Sequence, residues 1–202
     1  PGSRMTPLAI TAFTATSALG AGNAATLEAL CAGRSGLAPL AFMDLPLPTW
    51  AGEVAGVDAA ALPPDLAAFD CRNNRLAWLG LAQDGFLAAA QAARERWGAA
   101  RVGVFLGTST SGLLQTELAY RRRGPDGALP ADFHYDETQN SYSLAAFVRA
   151  ALQLHGPSAV VSTACSSSAK VFGTAQRMLA AGWIDAAVVG GVDSLCLTTL
   201  YG

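Results

Sequence analysis

Three short apolar runs alternate with helix-patterned stretches between residues 101 and 189, and this alternation restricts the fold more than any other feature of the chain. Residues 101–106, 158–162 and 185–189 are rich in valine and too short for stable helices, so they predict strands. Residues 113–122, 143–154 and 166–181 predict the helices between them. Gly124-Pro125-Asp126-Gly127 is a strong turn signal, and Gly156-Pro157 stops the second helix. Strands joined by helical crossovers build a parallel sheet covered by helices, so the expected class is α/β.

The first hundred residues are less regular. Residues 8–13 read as a strand, and Asn23 reads as the cap of a helix over 24–32. The Gly33-Arg34-Ser35-Gly36 turn follows. Residues 40–66 are proline-rich and aperiodic, which predicts a surface connection with at most short strands. Residues 72–97 predict one helix, with Leu76, Leu79, Phe86, Leu87 and Ala90 on a buried face. Arg94 and Arg96 sit near its end, where the helix dipole favours cations. Gly80 and Gly85 weaken it. No repeat or linker divides the 202 residues, so 5–202 is expected to be one unit. Residues 1–4, ahead of Met5, read as a cloning scar.

Composition removes several function classes. Hydrophobic residues make up 51% and charged residues 14%, which excludes a disordered chain. Net charge is −2 and no long basic block occurs, so nucleic acid is not an expected partner. No apolar run is long enough to cross a membrane, and no signal peptide is visible. The four cysteines, Cys31, Cys71, Cys165 and Cys196, are widely spaced without a CxxC pair, so neither a metal site nor a disulfide framework is expected. A cytoplasmic setting with reduced thiols follows as the default.

The chemistry concentrates at Ser162-Thr163-Ala164-Cys165-Ser166-Ser167-Ser168. A buried strand stops, small residues turn the chain, and a helix begins. A helix start offers unpaired N–H groups and the positive end of the dipole, both of which favour a thiolate. The same N–H groups can hold the oxygen of a tetrahedral intermediate. From the residues alone two readings stay open: a nucleophilic Cys165, or a cysteine that fills a small hole in the core.

This segment resembles the active-site stretch of β-ketoacyl-acyl-carrier-protein synthases, the condensing enzymes of the thiolase-like superfamily. The resemblance covers nearly all of residues 8–202. Residues 10–19 and the Gly33–Gly36 turn resemble the family's opening. Gly107-Thr108-Ser109-Thr110-Ser111-Gly112 resembles its small-residue loop, and the Asp185–Asp193 stretch resembles the next strand with its glycine pair. The resemblance implies a layered α-β-α fold with a mostly parallel mixed sheet. The chain would be the cysteine-bearing N-terminal half.

The implied reaction has two steps. Cys165 takes an acyl group from an acyl-carrier-protein thioester, with its own N–H as one oxyanion donor. A carbanion from decarboxylating malonyl-carrier protein then attacks the acyl-enzyme in a Claisen condensation, in fatty-acid or polyketide biosynthesis. No cofactor and no metal is implied. The family's two catalytic histidines, its supporting lysine and its second oxyanion donor belong to the other half. His134 and His155 read instead as surface residues, and Lys170 as structural. This chain by itself is therefore expected not to condense, and to expose an apolar face.

The resemblance assigns further residues. Thr110 matches a position lining the acyl tunnel. Arg72 and Arg75 match basic residues that face the acidic carrier protein, with Arg121-Arg122-Arg123 as a second basic group. Cys31, Cys71 and Cys196 read as packing residues. A homodimer, or a ketosynthase/chain-length-factor heterodimer, would pair through the strand at 158–162. The three serines after Cys165 resemble polyketide-type enzymes, and residues 193–202 resemble the aryl-polyene branch. A chain-length-factor-like partner would usually lack the cysteine, and a cysteine acyl hydrolase would need a histidine base beside it.

Overall fold

The computed structural model describes residues 7–202; the expected scar at 1–4 lies outside the described residues. Its centre is a three-stranded parallel sheet. Two small antiparallel pairs precede it, β1 (Thr16–Ser17) with β2 (Gly20–Ala21) and β3 (Ala38–Pro39) with β4 (Trp50–Ala51). The central strands are β5 (Val102–Gly107), β6 (Ser158–Val161) and β7 (Ala186–Gly191), in the order β6-β5-β7. The helices are α1 (Gly22–Cys31), α2 (Arg72–Leu81), α3 (Phe86–Trp97), α4 (Leu113–Arg121), α5 (Ser143–Ala151), α6 (Ser167–Ala180) and α7 (Leu197–Tyr201).

Alternation along β5 builds three layers. Val102, Val104 and Leu106 point to one face and join Leu144, Phe147 and Val148 of α5 and Ala90 of α3. Phe105 points to the other face and packs on Val171 and Ala175 of α6. β5 is buried on both sides, as expected of the middle strand of a parallel sheet. Burying a side chain such as Phe105 contributes about 1.5–3 kcal/mol.

The three strands end in register: Gly107 sits opposite Val161 on one side and Gly191 on the other. The loops after β5, β6 and β7 therefore leave the sheet along one edge. Gly107 and Gly191 let α6 approach that edge. A Cβ on Gly107 would lie 2.6 Å from the Ser167 carbonyl carbon and Ser168 nitrogen, and one on Gly191 would lie 1.8 Å from Ser168 Oγ.

Several sequence expectations need correction. Residues 8–13 form no strand, because no neighbouring strand takes up their backbone; Ile10 and Phe13 are exposed. Asn23 does not cap α1 with its side chain, which instead donates to the Phe13 carbonyl. Asp84 supplies the acceptor, taking the Asn23 N–H at 2.9 and 3.1 Å. The single helix expected over 72–97 breaks into α2 and α3. Asp84 and Gly85 adopt left-handed backbone with φ of 53° and 70°, and that bend presents Asp84 to α1. Cys31 is exposed rather than packed, while Cys71 and Cys196 are buried. Helix α5 stops at Ala151, followed by Gln153 with φ of 52°. Helix α7 has no counterpart among the expected elements; Glu117 draws it into place by accepting the N–H groups of Leu197 and Thr198, each at 2.8 Å.

Candidate functional site

The loop after β6 is a tight elbow. Ala164 takes left-handed backbone with φ of 53°, a conformation that costs a non-glycine residue on the order of 1–3 kcal/mol and is held only where the surroundings require it. Ser167 is the main holder. Its Oγ donates to the Ala164 carbonyl at 2.7 Å and accepts the Thr163 N–H at 2.9 Å. Ser166 Oγ donates to the Thr163 carbonyl at 3.0 Å. The Cys165 N–H takes part in none of these bonds. Cys165 sits at the apex, exposed, one residue before the N-cap of α6. The cysteine is thus not sealed in the core of the described residues. The serine run does more than leave room, since two of its hydroxyls fasten the elbow.

Thr110 stands in the loop after β5, the strand next to β6. It is 6% exposed and lines a cavity of about 230 Å³ together with Val54, Val57, Arg72, Asp193 and Leu195. Cys165 is not among the residues lining that cavity. The two predicted site residues therefore share a sheet edge and adjacent strands, but not one cavity.

Arg72 is largely buried. It is 8% exposed, its Nε donates to Asp58 at 2.8 Å, and its guanidinium lies 4.7 Å from the Phe42 ring centre. The paired guanidinium joins α2 to the segment at 53–58. Arg75 is half-buried and bidentate to Asp70 at 2.5 and 2.6 Å. That hydrogen-bonded carboxylate raises the Arg75 pKa further above its ordinary value. In the second basic group, Arg122 pairs with Asp132 at 3.0 Å and holds that carboxyl below its ordinary range. Arg121 is exposed beside it.

His134 and His155 are both exposed. His134 lies beside a π-helical turn, Tyr135–Gln139, in a separate polar cleft with Asp70, Gln115, Arg122 and Asp132. Neither histidine belongs to the loops that leave the sheet edge. The sequence pattern also did not single out Asp193, whose Oδ1 accepts the Ser109 N–H at 2.7 Å and the Thr110 N–H at 3.1 Å. The only sequence signal for it is an acidic residue just past a strand-ending glycine pair.

Residues 5–201 match the family described as beta-ketoacyl synthase, N-terminal domain. Among curated proteins, polyketide synthase PksN of Bacillus subtilis is 30% identical over 125 residues, which are 62% of this chain and 2% of PksN. Among solved structures, the ketosynthase ApeO in complex with its chain length factor ApeC, from Xenorhabdus doucetiae, is 27% identical with a TM-score of 0.69. That match covers 91% of this chain and 47% of the other. The ishigamide ketosynthase/chain length factor matches in fold, with a TM-score of 0.76 at 19% identity over 94% of this chain and 48% of its own. The chain thus spans about half the length of these solved chains and a small part of PksN. The neighbours share the thiolase-like fold, which agrees with the layered α/β arrangement of this chain. By its sequence over 197 of 202 positions (5 to 201 inclusive) and by its fold, this chain belongs to the β-ketoacyl synthase family, as the N-terminal domain of that family.

Proposed function

We propose that Cys165 is the nucleophile of a decarboxylating ketosynthase and that this chain supplies the acyl-accepting half of its site. The observation that carries the reading is the elbow itself: an exposed sulfur at a fastened strand-to-helix turn, directly ahead of a helix of 14 residues. In the first step the thiolate attacks the carbonyl of an acyl-carrier-protein thioester. The Cys165 N–H stabilises the oxyanion, and the carrier thiolate leaves as the new thioester forms. In the second step malonyl-carrier protein loses carbon dioxide, and its carbanion attacks the Cys165 thioester to form the β-ketoacyl product. The histidines that assist the second step come from the other half of the protein, since His134 and His155 stand on other elements.

The chain-length-factor reading is weaker, because the cysteine is present and exposed. Among the described residues β6 pairs with β5 alone, and its outer edge supports pairing with a second ketosynthase or a chain length factor, the assembly named for ApeO and ApeC. Leu8, Ile10, Phe13, Leu27, Leu30 and Trp50 are exposed apolar side chains on the N-terminal side of the chain, and they support packing against the remainder of the protein.

The test is acyl transfer followed by mass mapping. Incubation with an acyl-carrier-protein thioester is expected to add the acyl mass to the peptide carrying Cys165 and to no other. Cys165→Ala is expected to abolish the adduct. An adduct on another cysteine, or none in the intact ketosynthase, overturns the reading. Release of free acid in place of a lengthened chain would identify a hydrolase.

A further inference from the structure

We infer that Asp193 is a positioning residue, which fixes the loop that carries Thr110 and thereby the shape of the cavity beside it. The inference deepens the ketosynthase reading and rests on it for its effect on acyl substrates.

Strand β7 ends at Gly191, and two residues later Asp193 turns back toward the loop after β5. One oxygen, Oδ1, accepts from four donors: Ser109 N–H at 2.7 Å, Thr110 N–H at 3.1 Å, Thr110 Oγ1 at 3.1 Å and Thr108 Oγ1 at 3.2 Å. The next residue adds a fifth link, because the Ser194 N–H donates to Thr110 Oγ1 at 3.2 Å. A charged acceptor with several amide donors makes stronger bonds than a neutral one.

The far side of the loop is held independently. Ser111, with φ of 45°, places its Oγ 3.2 Å from the Thr138 carbonyl and 3.1 Å from that of Asn140. Asp193 therefore gathers the half of the loop that faces the cavity, where Thr108 Oγ1 also accepts the Thr110 N–H at 3.3 Å and the Ser111 N–H at 2.9 Å, and Thr110 Oγ1 also lies 3.3 Å from Asn73 Oδ1. It also lines that cavity, with Thr110, Val54, Val57 and Leu195. Asp193 makes no hydrogen bond to Cys165. Its influence on the nucleophile passes through the loop, which leaves the sheet beside the cysteine elbow because Gly107 and Val161 are paired.

The experiment uses the intact ketosynthase containing this chain, with Asp193→Ala and Asp193→Asn variants. Asparagine keeps an oxygen in the place of Oδ1, so it separates the acceptor from the charge. The first readout, amide hydrogen exchange, is independent of activity. Asp193→Ala is expected to speed exchange at Ser109 and Thr110 by about tenfold or more, with Asp193→Asn much nearer the parent. The second readout is competition of acetyl and octanoyl thioesters for Cys165. Asp193→Ala is expected to change the octanoyl-to-acetyl ratio by at least about threefold, while Asp193→Asn retains the parental ratio.

Unchanged exchange in Asp193→Ala, an unchanged ratio, or equal behaviour of the two variants overturns the inference. If the parent accepts neither acyl group, the ketosynthase reading fails instead, and the exchange data still decide whether Asp193 holds the loop.

Discussion

Ser167 Oγ sits 2.7 Å from the Ala164 carbonyl oxygen, and this single hydroxyl secures the left-handed residue that lifts Cys165 out of the sheet edge. The same oxygen accepts the Thr163 N–H at 2.9 Å, and Ser167 is only 2% exposed. Replacing it removes two part-buried hydrogen bonds, leaving the Thr163 N–H without its hydroxyl acceptor and the Ala164 carbonyl with the Ser167 N–H at 3.1 Å. Ser167→Ala is therefore expected to lower stability by about 1–3 kcal/mol in urea unfolding. Alkylation of Cys165 in the folded protein should change in rate, because the elbow relaxes. An unchanged midpoint together with an unchanged alkylation rate would show that Ser167 does not hold the elbow.

The two strand-ending glycines are not equivalent. A Cβ at Gly107 meets backbone atoms of Ser167 and Ser168 at 2.6 Å, so α6 itself must move. A Cβ at Gly191 meets the Ser168 hydroxyl, which can rotate away, and then Ser168 Cβ at 2.9 Å and the Gly107 carbonyl oxygen at 3.1 Å, so a smaller displacement remains to be made. Gly107→Ala is expected to destabilise by about 2 kcal/mol or more and to disturb the elbow, with Gly191→Ala clearly milder. Thermal unfolding of the two variants side by side checks the order.

Thiol mapping tests burial and proton affinity together. Cys165 and Cys31 are exposed and should alkylate in the native state, while Cys71 and Cys196 should react only after unfolding. Burial pushes the Cys71 thiol up to about 11 from an ordinary 9.0. The unfolded chain therefore gives up this proton at lower pH than the native state does. The stabilisation is fully present below about pH 9 and is lost as pH rises toward 11, an effect on the order of 2–3 kcal/mol. Cys71→Ala should flatten that part of the stability–pH curve, as read by urea unfolding between pH 8 and 11.

Asp84 reaches from the bend between α2 and α3 to the start of α1. It accepts the Asn23 N–H at 2.9 Å and the Thr14 hydroxyl at 2.7 Å. Asp84→Ala is expected to cost about 1–2 kcal/mol, the usual loss for a helix cap, and to loosen residues 13–23 in hydrogen exchange. Asp84→Asn should retain much of the cap. Loss confined to α3 would show that the bend, not the cap, is what Asp84 supports.

Local pattern was enough for the existence of β5, β6 and β7 and of the helices α4, α5 and α6, though α5 ends three residues short of its expected end before Gly156-Pro157. It also located Cys165 at a junction of strand and helix, although the family resemblance, not the local pattern, supplied its reading as a nucleophile. Pattern failed where distant groups compete. The stretch 8–13 has strand composition but finds no strand beside it among the described residues. The stretch 72–97 has helical composition but is bent to deliver Asp84.

The chain's own order of residues thus determined the class of fold, the position of the sulfur and the helix that follows it, because these depend on neighbours within a few positions. Folding in three dimensions decided which charges are free and which are spent, and which acceptor holds which loop. Arg72 carries a positive charge in any conformation, yet only the approach of Asp58 and Phe42 buries it. Asp193 is an unremarked acid in the sequence, and it gains its partners only when β5 and β7 end side by side. The Asp193 bonds join groups about 80 residues apart in the chain, at distances set by the sheet rather than by any local rule.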